Sequence, residues 1–245
     1  MIIINNSILT NLLIGAVKMD FSKMAKFTNQ FISGTMTTLA ITIITVILGS
    51  IIGFLITLLR RSKFKPLNLI AKIYAQIMRG TPVLLQIYIV VYGLPMVGIR
   101  TPEFPIPFIA QPRQFIACII ALSLNSGAYI SEIFRAGLSS IDSGQSEAAR
   151  SLGLSSSQTM KHVVLPQAIK NIIPALGNEF IMMIKESSMV SVVGIKDVMY
   201  VRSIAASSTY LVFEPLIIIA LIYFLLTSIC TTLLGLLEKR LNTDD

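Results

Sequence analysis

Residues 31–59 run for 29 positions without an aspartate, glutamate, lysine or arginine. A helix rises about 1.5 Å per residue, so this stretch alone is long enough to cross a hydrocarbon core roughly 30 Å thick. In lipid the backbone must satisfy its own hydrogen bonds, which leaves a helix as the form for an isolated apolar run. Four further segments approach the same length. They lie at about 67–94, interrupted by "RGTP", at 114–136, at 172–193 with Lys185 and Glu186 inside it, and at 213–237. Only 13% of the chain is charged and 54% is hydrophobic, against roughly 25% charged in a soluble domain. The expectation is an all-α membrane protein with about five spans over residues 31–240. Residues 1–30 read as an interfacial or peripheral segment. "MIIINNSILTNLLIGAV" has no basic start and no small-residue cleavage site, so it is not read as a signal peptide.

The net charge of +8 is distributed as topology signals and not as a nucleic-acid-binding stripe, so no nucleic-acid partner is expected. "RRSKFKPLNLIAK" carries five basic residues and no acid, and Arg135, Arg150, Lys161, Lys170, Lys239 and Arg240 fall on the same side of a five-span chain. That side holds eleven of the 20 basic residues, which places the C-terminus in the cytoplasm and the N-terminus outside. Lys18, Lys23 and Lys26 pull the other way. Cys118 and Cys230 both sit in apolar segments and read as small hydrophobes. The loop at 92–113, with Pro95, Pro102, Pro105, Pro107 and Pro112, reads as an irregular external cap.

The cytoplasmic loop at about 137–171 is too polar to span. Within it "EAARSLGLSSSQTMKHVVLP" (147–166) reads as two short helices joined by a tight turn. Ser143 is a candidate first cap, Gly153 allows the chain to reverse, a serine starts the second helix, and Pro166 ends or kinks it before the fourth span. A solvated linker has no need of Ala-Ala, Gly and Leu-Pro at these intervals, so a docking element is the better reading.

This stretch resembles the EAA signature of ATP-binding-cassette importer permeases at Glu147, Ala148, Ala149, Gly153, Leu165 and Pro166, with Val163 in place of isoleucine. "YAQIMRGTPVLLQIY", "NSGAYISEIFRAGLSSIDSGQSEAARSLGLS", "VVLPQAIKNIIPALGNEF" and "IKESSMVSVVGIKDV" resemble the polar-amino-acid branch of those permeases, over about 33–240. The resemblance implies a type I importer fold with about five transmembrane helices per subunit. It also implies a cytoplasmic EAA coupling helix, seated in a cleft of an ABC ATPase subunit dimer. The implied partners are a second permease subunit, identical or related, an extracytoplasmic amino acid binding protein and membrane lipid. The implied location is the bacterial cell membrane.

No Gly-x-x-x-x-Gly-Lys-Ser/Thr occurs, so ATP and Mg are expected on the partner subunit and no cofactor on this chain. No catalytic or metal constellation is evident; His162, the single histidine, reads as a surface or interface residue. Charges inside spans are expensive and call for a partner or a purpose. Arg79, Thr81 and Gln86 surround the helix break; Asn125, Tyr129 and Glu132 recur on one face of the third span; Lys185, Glu186, Ser187 and Ser188 are consecutive in the fourth. Two readings stand together. In one, Arg79 or Lys185 faces a substrate carboxylate while Glu132 or Glu186 faces its ammonium. In the other, the four charges neutralise one another as structural ion pairs. The function read from all this is the permease subunit of an importer for arginine, histidine, glutamine, cystine or a similar amino acid. An ATP-independent secondary transporter or channel is the alternative; such folds often carry repeated halves, and none is visible.

Overall fold

The computed structural model describes residues 19–107 and 109–242, so most of the expected interfacial segment at 1–30 lies outside the described residues. All regular structure among the described residues is helical. A 3₁₀ turn, Phe21–Phe27, is capped by Asp20, whose side chain accepts from the Ser22 amide. It feeds α1, Thr28–Arg60, so the helix starts three residues before the expected span at 31–59. The threonines of α1 stay compatible with lipid by bonding their own turn. Thr35, Thr42 and Thr57 donate to the carbonyls of Phe31, Thr38 and Gly53 at 2.7, 2.9 and 2.8 Å.

The second apolar segment is two helices, α2, Lys65–Gly80, and α3, Val83–Tyr88, the latter continuing through a π turn to Met96. Pro82 disfavours the helical conformation in the residue before it, and Thr81 is extended at φ −122°, ψ 146°. The axes meet at 107°, a sharper turn than an interrupted span implies.

At the centre lies α4, Pro112–Ser139, with 67% of its apolar window buried, against 6% for α8, Phe213–Asn242. Small residues let α4 lie directly on α1. A β-carbon at Gly53 would come within 2.7 Å of Ile130 Cγ2, and one at Gly127 within 2.6 Å of Ile52 Cγ2. Lipid tails are as apolar as leucine, so close backbone approach of this kind is what holds helices together in a bilayer. Ile87, Phe115, Cys118, Leu122, Met183 and Val190 form the main core around α4. Cys118 is buried as expected, whereas Cys230 is only half-buried.

After α4 come α5, Ser143–Ser151, and α6, Leu165–Glu186, then a 3₁₀ segment, Ser187–Val193, and α7, Val201–Thr209. A smaller core of Phe27, Phe31, Val198, Val201 and Ile219 ties the first 3₁₀ turn to α7 and α8. Phe224, Leu225, Ile229 and Leu233 of α8 are exposed, a surface suited to lipid. Three helices are long and apolar enough to cross a membrane, and the bent α2–α3 pair is a fourth candidate. The expected span at 172–193 is occupied by α6 and the following 3₁₀ turn. It is not counted with them because Lys170, Glu179, Lys185 and Glu186 dilute its apolar content.

Candidate coupling element and intramembrane polar cluster

The docking element is built by local rules. Asp142, not Ser143, caps α5, its Oδ1 accepting from the Gly144 amide at 2.6 Å; both residues are able caps, and the aspartate takes the position. The amides of Gly153 and Leu154 close the helix end on the carbonyls of Arg150 and Ala149 at 3.0 and 3.1 Å. Gly153 sits at φ +89°, the left-handed conformation that glycine adopts without a steric penalty. The second helix opens on a reciprocal capping box between Ser155 and Gln158.

Pro166 does not end that helix. A π turn, Met160–Val164, widens the ladder just before it, and the helix runs on through Leu165 and Pro166 into α6, so the missing amide is accommodated without a break. The second short helix and the next span are therefore one continuous rod. Its base is pinned by Asn171 Nδ2 donating to Ser140 Oγ at 2.9 Å. Glu147, Ala148 and Gly153 are exposed and Ala149 is buried. Leu152, at the tip, is 83% exposed, an apolar knob absent from the sequence-based candidates.

Inside the bundle, Gln86 and Asn125 meet at the helix break. Gln86 Nε2 donates to the carbonyls of Met78 and Thr81 and to Thr81 Oγ1, at 2.9, 3.1 and 2.8 Å. Asn125 Nδ2 donates to Met78 O and Gln86 Oε1 at 3.0 and 3.1 Å. These two amides satisfy the carbonyls that the break releases.

Glu132 lies elsewhere, among three guanidiniums. Arg60 and Arg135 approach to 2.7 and 2.6 Å and Arg79 to 3.7 Å. In the sequence alone Arg60 and Arg135 carry only the mark of topology signals. Tyr129 is exposed, Lys185 is exposed, and Glu186 is half-buried. Ser187 is buried with its hydroxyl donating to Ile184 O at 2.8 Å, and Ser188 is half-buried.

A further acid, Glu179, was missed. It accepts from Ser126 Oγ at 2.7 Å, joining α6 to α4 beside Asn125. Its only sequence signal is a charge isolated within an apolar helix. Asp197, between the spans, is fully buried; burial pushes its carboxyl up to about 7, and the Tyr200 amide donates to Oδ1 at 3.0 Å.

The long apolar helices, with an exposed helix–turn–helix between two of them, define a helical membrane protein with a surface element available for docking. The chain belongs to the family of binding-protein-dependent transport system inner membrane components, matching it over residues 46–243. It is 42% identical over 230 residues to the arginine transport system permease protein ArtQ of Bacillus subtilis (strain 168), covering 94% of this chain and 100% of that one. It is 40% identical to the putative glutamine transport system permease protein GlnP of Rickettsia bellii (strain RML369-C), covering 90% and 98%. The crystal structure of an amino acid ABC transporter with histidines aligns at TM-score 0.83 and 46% identity, over 91% of this chain and 100% of that one. The fold is the type I ABC importer transmembrane fold. This chain is a permease subunit in the membrane, and ATP is hydrolysed on a separate ATPase subunit.

Proposed function

We propose that this chain imports a polar amino acid carrying net positive charge, with its C-terminus and the Glu147 loop in the cytoplasm and its N-terminus outside. ArtQ, named for arginine transport, supports this class, and one observation carries it. Glu132 is already held by three arginines, whereas Glu179 and Glu186 take part in none of the described salt bridges. Seven residues apart on α6, they share a face, and Glu179 borders the Asn125–Gln86 break through Ser126. Two carboxylates at membrane depth complement a cationic side chain and an ammonium, while Lys185 is the cation available to the substrate carboxylate.

In this reading two permease subunits form the pathway. ATP and Mg bind the two partner ATPase subunits, and closure of those subunits draws the two Glu147–Pro166 elements together. Because the second short helix is continuous with α6, movement of the knuckle passes directly to the helix that carries Glu179 and Glu186. The test is ATP hydrolysis by the assembled transporter with its binding protein in proteoliposomes. Arginine, lysine or histidine is expected to stimulate, and Glu179→Gln to raise the half-saturating concentration at least about tenfold, the loss of roughly one charge-assisted contact. Stimulation by glutamine but not by any cationic amino acid overturns the charge assignment.

A further inference from the structure

We propose that an anionic phospholipid of the inner leaflet places its headgroup in a basic cavity at the end of α1 and lays an acyl chain along the adjoining apolar groove, against the coupling element. The leaflet rests on the orientation proposed above. The cavity, about 370 Å³, is lined by Arg60, Arg61, Lys72 and Arg135 with Thr57 and Ser139. Among the described residues Glu132 is the one carboxylate in salt bridges with these side chains, so the lining keeps a positive excess. Arg61 and Lys72 take part in none of the described salt bridges, so their charges are available to an anionic headgroup.

The cavity does not stand alone. A groove of about 520 Å³ shares the walls Thr57, Arg61 and Leu138 with it and continues past Phe54, Phe134, Leu165 and Ile169. A charged mouth opening into an oily trough matches an amphiphile, and basic pockets between helices on the cytoplasmic side suit anionic headgroups. A free phosphate would leave the trough bare. A second copy of this chain, at net charge +8, is a poor match for a basic mouth. Met160 and Leu165 of the coupling segment form one wall of the groove, so a bound chain packs against the part that receives force from the ATPase. The lipid thereby acts on coupling as well as on stability.

The test uses the whole transporter complex in nanodiscs. Native mass spectrometry is expected to find phosphatidylglycerol retained in preference to phosphatidylcholine. Arg61→Gln combined with Lys72→Gln is expected to weaken that retention about thirty-fold, since each basic side chain at an anionic surface contributes roughly fivefold. Ile169→Trp, which fills the trough and leaves the basic residues in place, is expected to weaken retention too. Substrate-stimulated ATP hydrolysis is expected to rise with phosphatidylglycerol in the wild type and to stay flat in the double variant.

Equal retention of the two lipids, or unchanged retention in the double variant, overturns the proposal. So does equal stimulation by inorganic phosphate in pure phosphatidylcholine, which would make the occupant a free anion. Ile169→Cys cross-linking to a second permease copy would assign the groove to a protein interface instead and overturn the proposal. Retention is read without any transported solute, so a wrong amino acid class leaves this result standing. Uptake that is indifferent to lipid sinks only the lipid site.

Discussion

Arg60 at the end of α1 and Glu132 in the last third of α4 lie 72 residues apart in sequence and 2.7 Å apart in space, with side chains only 15% and 17% exposed. The same carboxylate also holds Arg135 and Arg79, so it joins α1, α4 and the end of α2 at one point. Glu132→Gln leaves three guanidiniums facing one another without a counter-charge. The pair is only partly buried and Arg79 and Arg135 are more exposed, so its loss costs about 1–3 kcal/mol, read as a lowered midpoint of thermal unfolding in detergent. Adding Arg60→Gln should recover part of the loss, because the double variant removes one of the stranded cations. Additive losses would argue against a shared cluster.

The α1–α4 contact makes a second, independent demand. Gly127→Ala places a methyl group 2.6 Å from Ile52 Cγ2, inside van der Waals contact, and should destabilise by about 1–3 kcal/mol. Ile52→Ala in the same chain opens the space, so the pair should be more stable than Gly127→Ala alone. If the second substitution fails to help, the two helices do not approach as closely as described.

Much of this architecture is visible in the residues because a bilayer enforces long apolar runs, and α1, α4 and α8 coincide with three of them. The break at "RGTP" is equally visible, since Pro82 favours an extended Thr81 and Gly80 adds no helix propensity. Its 107° angle is not, because that depends on Gln86 and Asn125 meeting across two helices. Glu147 to Gly153 was legible through local capping and turn chemistry. The continuity of the second helix into α6 was hidden by Pro166, whose usual effect is absorbed by a π turn that no residue pattern announces. Arg60 and Arg135 sit beside apolar segments, where a topology signal and an ion-pair partner look alike until the tertiary fold brings Glu132 to them.

The knuckle supplies a prediction about coupling. Gly153→Val forces a β-branched residue into φ +89°, a strain of about 1–3 kcal/mol at an exposed tip, which the bundle should survive. Leu152→Asp removes the 83% exposed apolar knob, and Glu147→Lys reverses an exposed charge. In the assembled transporter each should reduce uptake per ATP hydrolysed by about tenfold, equivalent to about 1.4 kcal/mol, while thermal stability in detergent changes little. Unchanged uptake in all three would remove the Glu147–Pro166 element from the coupling pathway.

Asp197 supplies a prediction about pH. Its carboxyl is fully buried, Oδ2 has no hydrogen-bond partner, and burial raises its pKa from 3.8 in the free side chain to about 7. The folded state therefore keeps a proton that the unfolded chain releases. Its stabilising effect is complete below about pH 4, falls away as pH rises through 7, and is absent above that. The titrating group lies beside the Tyr223 hydroxyl of α8 and the Cys118 thiol of α4, and none of the described salt bridges reaches it. Asp197→Asn keeps an oxygen for the Tyr200 amide and removes the titration. Thermal unfolding in detergent should show the wild type losing stability between pH 5 and pH 8 relative to Asp197→Asn. Parallel pH profiles for the two proteins would mean that Asp197 is already ionised in the fold.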